Sequence, residues 1–354
     1  MIDFRYHLVS IVAVFLALAI GIVLGSTELQ GPAYNFLDKT TAKLQTELGQ
    51  VSTQRDTAQA QASAGNAFAA TVQPAVLKDL LRGQRVLIVT EPGAQASVIS
   101  GIQSAAADAD ASVTGQINLQ PKFFDTTDTT QDTLNQTNLD IAEHAGITLD
   151  STGTYQQQAA QVIASEILVK SSPGTTGGTG AAGTPLAGST AGTDQGTGAS
   201  TMLTAYAASQ FLSTTGQPAT PATLTVVVTP QNVPADGSSD ALARLLIPVV
   251  QELAGKSSGT VVVGSSSGSG AGSPIAVLRQ NAIAGQVSTV DNADMTIGQT
   301  AAMQALAVLL GGGKAGSYGF TSNGATAVAP SPVPTASASP SATTSPAATK
   351  KANK

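Results

Sequence analysis

From Leu8 to Gly25 the chain carries one polar side chain, Ser10, in an otherwise apolar run of eighteen residues. At about 1.5 Å of rise per helical residue, such a run nearly crosses a hydrocarbon core about 30 Å thick, so it predicts a membrane-spanning helix. A cleaved export signal has a basic start, a shorter apolar run and a small-x-small exit. Here Asp3 offsets Arg5 and only Val23 with Gly25 offers a weak exit, so residues 1–26 read as an uncleaved signal-anchor. Within it Ala13, Ala17, Gly21 and Gly25 recur at every fourth position. That spacing lays a smooth stripe along one helix face, which a second helix backbone can approach closely. The competing explanation is that Ala and Gly are common in such segments.

Beyond Gly31-Pro32, read as a break, apolar positions recur with heptad spacing, best formed at Leu37, Leu44, Leu48 and Val51. The pattern continues to Val76 but weakens where Arg55 and Gly65 fall on the seam. Residues 27–76 are therefore predicted as a coiled-coil stalk, against the alternative of a lone amphipathic helix packed on the domain that follows. Helices leaving neighbouring anchors must run the same way, so both rows point to a parallel homodimer.

From Arg85 the period changes. Short β-branched runs ("RVLIVTEPG", "SVTGQINL", "TLTVVVTPQN", "GTVVVG", "QVSTVDN") alternate with helical stretches at 94–108, 240–254, 274–284 and 296–310. Strands alternating with helices predict βα units, so residues 77–320 read as an α/β domain with a mainly parallel sheet flanked by helices. Pro248 is expected to kink or shorten its helix. The Gly/Thr/Ser-rich residues 171–200 read as a flexible insertion between helices at 155–170 and 201–212. Residues 321–354, rich in Ala, Ser, Pro and Thr, read as a disordered tail.

Composition narrows the function. Of 354 residues 42% are hydrophobic and only 11% charged, with no cysteine. The net charge of −6 becomes −9 for the middle of the chain, because the first 25 residues cancel and the last 34 carry three lysines and no acid. That surface repels nucleic acid, so no nucleic-acid partner is expected. Arg5 and the N-terminal amine place the short N-terminus in the cytoplasm and the bulk of the chain outside the cell membrane, as a single-pass protein.

Little in the sequence carries chemistry. Gly264-Ser265-Ser266-Ser267-Gly268 matches a nucleophile-elbow pattern, but the two histidines, His7 and His144, both precede it in the chain. A hydrolase of that fold takes its base from a later histidine, so the match reads as a Gly/Ser-rich loop and no enzyme is expected. The same loop lacks the glycine spacing of a phosphate cradle. Soft metal ions want Cys, Met or His, and Met1, Met202, Met295, Met303, His7 and His144 show no ligand-type spacing. His144 reads instead as a helix-end residue before Gly146. Asp125, Asp128, Asp132, Asp140, Glu143 and Asp150 read as a solvated face. No cofactor is evident.

The opening "MIDFRYHLVSIVAVFLALAIGIVLGS", the heptad helix, "RVLIVTEPG", "VSTVDNADMTIGQTAAMQALA" and "GKAGSYGF" together resemble the MctB family of actinobacterial copper-transport proteins, in the same order over residues 1–320. The resemblance implies an envelope protein tied to copper efflux or homeostasis, with copper as the implied metal and an outer-membrane location in some descriptions. No family ligand motif maps onto these residues. SteB-type members of the same family imply an alternative role, a dimeric scaffold with an envelope or divisome partner that regulates peptidoglycan hydrolysis and cell separation. The strands are few, short and continuously apolar, unlike the alternating ten-residue strands of an outer-membrane barrel.

Overall fold

The computed structural model describes residues 4–171, 194–216, 221–231, 238–267, 272–320 and 325–330. The chain divides into two units, Met1–Gly65 and Asn66–Lys354. Helix α1 (Phe4–Leu77) supplies the described part of the first unit and leads into the second. Its apolar stretch Tyr6–Gly25 has a mean hydropathy of 2.9, and none of it is buried. The helix runs through Gly31-Pro32, where the sequence predicts a break. A proline removes one helical backbone bond and crowds the preceding turn, a cost of about 3 kcal/mol. That is a local penalty, and the regular helix on either side of it continues within a single 74-residue element.

In the last three turns of α1 the pattern of burial changes. Asn66, Ala69 and Val72 are half-buried and Gln73 and Leu77 fully so. This spacing of three and four is that of a helix face set against a core.

The sheet of the second unit follows from the apolar runs. Strands β1 (Arg85–Thr90), β2 (Ser112–Leu119), β3 (Leu212–Thr215), β4 (Leu224–Val228), β5 (Gly259–Val263), β6 (Ser288–Val290) and β7 (Ser317–Tyr318) form one seven-stranded sheet in the order β3-β2-β1-β4-β5-β6-β7. All neighbours are parallel except β2 and β3. Every residue of β4 and β5 is buried, because both sheet faces are covered. On one face lie α3 (Asp128–Ala145), α4 (Tyr155–Ile167), α5 (Asp194–Ala208), α6 (Ser238–Lys256) and α7 (Pro274–Arg279), closing a core with Leu87, Val89, Ile117, Val227 and Val262. On the other lie α2 (Ala96–Asp108), α8 (Thr296–Leu310) and the end of α1, packed on Val86, Ile88, Val226, Val261 and Val290.

Alternate residues of each central strand thus feed opposite cores. A fully buried Val or Leu contributes roughly 1.5–3 kcal/mol, and these runs supply most of the sheet's hold on its helices.

Several elements depart from the sequence reading. α6 continues through Pro248 at full length, held by Leu246, Val249, Val250 and Leu253 in the core. α5 begins at Asp194, inside the stretch predicted as flexible, and Ala199, Met202, Leu203 and Tyr206 bury its inner face. Packing there outweighs a composition that favours linkers. Residues 172–193 of that stretch, and everything beyond 330, lie outside the described residues. Ala327, within the predicted tail, bridges Tyr318 in parallel and lines the outer side of β7.

The connection from β6 to β7 has the opposite hand to those from β4 to β5 and β5 to β6. The sheet grows in the same direction each time, but α8 lies on the α2 face while α6 and α7 lie on the other. Such crossovers are rare. A two-residue strand reached in this way needs a separate anchor, which the rim of the sheet provides.

Candidate functional site

In a doubly wound sheet the carboxyl ends of the strands form a rim, and ligands bind where the strand order reverses. Here the reversal falls between β1 and β4. The chain leaves β1 through Glu91-Pro92-Gly93-Ala94, with Ala94 N donating to Glu91 O at 3.1 Å and Gly93 at φ +86°. Proline second and a left-handed glycine third make a type II turn. The turn is tied to the loop after β4: Gln231 N donates to Gly93 O at 3.1 Å, and Ala94 bridges Pro230. A Cβ on Gly93 would stand 3.3 Å from the Pro230 Cβ, a tight contact at a left-handed backbone position that glycine meets without strain. Among the described residues, backbone bonds thus join these two loops where a ligand would sit in this fold.

The Glu91 side chain, 5% exposed, lies at this closure. Among the described residues its Oε2 has no hydrogen-bond partner. Burial without a compensating charge disfavours the carboxylate and pushes its pKa up to about 8. At neutral pH it is a carboxylic acid.

Further along the rim, Asp294 accepts from Ser266 twice, from N at 2.8 Å and from Oγ at 2.9 Å. The hydroxyl of the elbow-like sequence is therefore engaged with a carboxylate rather than an imidazole. His7 lies exposed on α1, and His144 Nδ1 is 2.6 Å from Asp140 O at the end of α3, before the left-handed Gly146.

Asn292, between β6 and α8, is fully buried, and neither amide atom has a partner among the described residues. Gly298 packs on its carbonyl so closely that a Cβ would come within 2.1 Å of the Asn292 backbone oxygen.

The β7 anchor is Arg279, whose pairing with Asp291 leaves the two side chains 3% and 0% exposed. Arg279 donates from Nη1 to Asp291 Oδ2 at 2.8 Å, from Nε to Thr289 Oγ1 at 2.8 Å and from Nη2 to Tyr318 O at 2.7 Å. Asp291 Oδ1 in turn accepts from Phe320 N at 2.9 Å. Gly319, at φ +137°, leaves room for that carboxylate. Both ions are thus bonded on several sides, which a buried pair requires.

The sequence-derived candidates lie elsewhere. Ala13, Ala17, Gly21 and Gly25 are exposed on α1, with open space where Gly21 and Gly25 would carry a Cβ. Leu37, Leu44, Leu48 and Val51 are 58%, 53%, 69% and 62% exposed, so the heptad row meets nothing within the described chain. Met202 and Met303 are buried in opposite cores, on the two sides of the sheet, and Met295 is half-buried at the start of α8. No group of three or more His, Asp or Glu side chains is placed to hold a metal among the described residues. Asp125 and Asp150 close local turns onto Thr127 and Thr152, and those hydrogen bonds hold both carboxyls below their ordinary pKa. Reading the sequence missed Glu91, Arg279, Asp291 and Asn292. The available signal was a charged or amide residue one or two positions after the end of an apolar strand, or eleven positions before it.

A doubly wound α/β unit with a closed rim, on a chain that opens with one exposed apolar helix, fits the class of membrane-anchored envelope proteins. The sequence matches the family described as "Copper transport outer membrane protein, MctB" over residues 1–330, and the chain belongs to that family. It is 28% identical over 334 residues to the Copper transporter MctB of Mycobacterium tuberculosis, an alignment covering 93% of this chain and 99% of that relative. The Copper transporter MctB of Mycobacterium leprae is likewise 28% identical, over 335 residues, with the same coverage. The described strands form an open, mainly parallel sheet, an architecture distinct from the closed antiparallel barrel of outer-membrane channels.

Proposed function

We propose that this chain serves copper efflux or homeostasis as a single-pass, non-enzymatic envelope protein that works as a parallel homodimer. The reading rests on one observation: a fully exposed 20-residue apolar helix at the start of a chain whose curated relatives are named copper transporters. The bulk of the chain is extracytoplasmic in this reading. The exposed heptad row at Leu37, Leu44, Leu48 and Val51 supports pairing with a second copy, because apolar side chains at that spacing are covered by a parallel helix. Copper is cargo of the assembly rather than a ligand of the α/β unit, whose buried thioethers Met202 and Met303 lie on opposite sides of the sheet.

The test is cellular copper content in a strain lacking the gene, complemented with the full chain or with a form whose residues 6–25 are replaced by a cleavable export signal. Copper should fall with the full chain and stay high with the released form. Equal copper in all strains overturns the copper role, and equal rescue by both forms overturns the anchored one. Titration of the full chain with cuprous ion against a competing chelator should show no stoichiometric site in the α/β unit. Binding that survives removal of the anchor's exposed residues would overturn that part.

A further inference from the structure

We infer that the last three turns of α1 are a coupling element that sets the conformation of the rim loops through α8. The residue preceding α8, Met295, makes no side-chain cap. The cap comes from α1 instead: Asn66 Oδ1 accepts from Thr296 N at 2.7 Å, across 230 residues of sequence. Two turns further on, buried Gln73 joins both neighbouring helices. Its Nε2 donates to Asp108 Oδ2 at the end of α2 at 2.9 Å, and its Oε1 accepts from Thr300 Oγ1 of α8 at 3.1 Å. Leu77 and Leu81 then close the core, and Leu81 N donates to Ala109 O at 2.9 Å.

The residues that open α8 hold the rim. Asp294 fixes the backbone N and Oγ of Ser266. Ala293 N donates to Gly264 O at 2.9 Å, and Gln299 Nε2 donates to Ala293 O at 3.0 Å. Gly298 has no slack against Asn292. A displacement of Asn66 therefore reaches Gly264 and Ser266 through direct bonds and close contacts, which transmit a shift instead of absorbing it. The second state of the element is supplied by Asn292. Its two buried unpartnered atoms each carry a desolvation cost, so an arrangement of the rim that bonds them competes with the one described. A displacement of Asn66 selects between the two.

The test is amide hydrogen exchange of the full chain in detergent micelles. Asn66→Ala should speed exchange about fivefold at Thr296, Ser266 and Ala293, the change expected for loss of one helix cap. Asn66→Asp, which keeps the acceptor, should restore it. Acceleration confined to Thr296, or spread equally to the amides of Thr223 and Asp291, overturns the coupling, as does failure of Asn66→Asp to restore it. Asn292→Leu removes the unpartnered amide while keeping the branching and number of side-chain heavy atoms, and should slow exchange at Ser266 and Ala293 about fivefold. Unchanged or faster exchange there overturns the second state even if Asn66→Ala fails to fold.

Discussion

Replacing Glu91 with glutamine tests the assignment of a neutral acid at the closed rim. The native carboxyl has its pKa raised from 4.5 to about 8 by burial. Between those values the folded chain keeps a proton that the unfolded chain releases, so stability falls as pH rises from about 4.5 to about 8 and levels off above. At about 1.4 kcal/mol for each unit of pKa difference, the loss is roughly 3 kcal/mol at pH 7 and at most roughly 5 kcal/mol above pH 8. Glutamine has nearly the same shape and does not ionise. Its amide changes the number of buried donors by a constant amount, which shifts the whole curve without altering its slope. Asp125 and Asp150 have lowered pKa values, so their contributions are lost only on acidification below this window, and the two proteins share them. The assay is denaturant unfolding of both full chains in micelles at pH 5, 6, 7 and 8, followed by the near-ultraviolet signal of Tyr155, Tyr206 and Tyr318. The glutamine form should lose most of the decline with pH and gain steadily on the native chain from pH 5 to pH 8. Parallel curves for the two proteins would refute the reasoning, because they would mean that Glu91 ionises in the folded state as readily as in water.

Arg279→Leu should destabilise the α/β unit by about 3–5 kcal/mol, since the buried Asp291 would lose the Arg279 charge beside it and the bond to Tyr318 would be lost; a denaturation curve of unchanged midpoint would contradict this. Gly298→Ala forces a methyl group to within 2.1 Å of the Asn292 oxygen and should cost at least about 2 kcal/mol by the same measurement, whereas Gly146→Ala, in open space, should cost only the penalty of its left-handed backbone, about 1–2 kcal/mol. The chain has no cysteine, so Leu44→Cys gives a clean cross-linking readout in membranes. A disulfide dimer should form there and be abolished by adding Leu48→Asp; a monomer under oxidising conditions would refute the parallel pair.

The central sheet was legible because its residues do one thing. "TVVVT" and "GTVVV" are buried on both faces, and such runs read as interior parallel strands without tertiary information. α8 was legible from end to end for a similar reason, with an apolar run stopped by Gly311. β3 was not, since Leu-Ser-Thr-Thr at a sheet edge has only Leu212 buried and gains its strand conformation from pairing with β2. The start of α5 was hidden by a Gly/Thr-rich composition that packing of Met202, Leu203 and Tyr206 overrides. The rim was least legible. Arg279 and Asp291 stand twelve positions apart on different elements, and only the fold shows that they share a bond and that two glycines of "GKAGSYGF" are spaced to admit Tyr318 and the carboxylate.

The polar residues of the rim define what the α/β unit is built to do. In doubly wound proteins that act on small ligands, the strand ends at the reversal point stay open, and glycines there bring backbone N–H groups toward the ligand. In this chain the glycine at that place brings one loop against another, and the acid beside it is buried and neutral. Of the other described rim carboxylates, buried Asp291 is bonded to Arg279, and exposed Asp294 accepts from Ser266. Among the described residues the rim is bonded to its own loops, and a chain of bonds reaches it from α1 through Asn66 and α8. The fold that elsewhere recognises a ligand and moves a helix is arranged here so that a helix moves the rim.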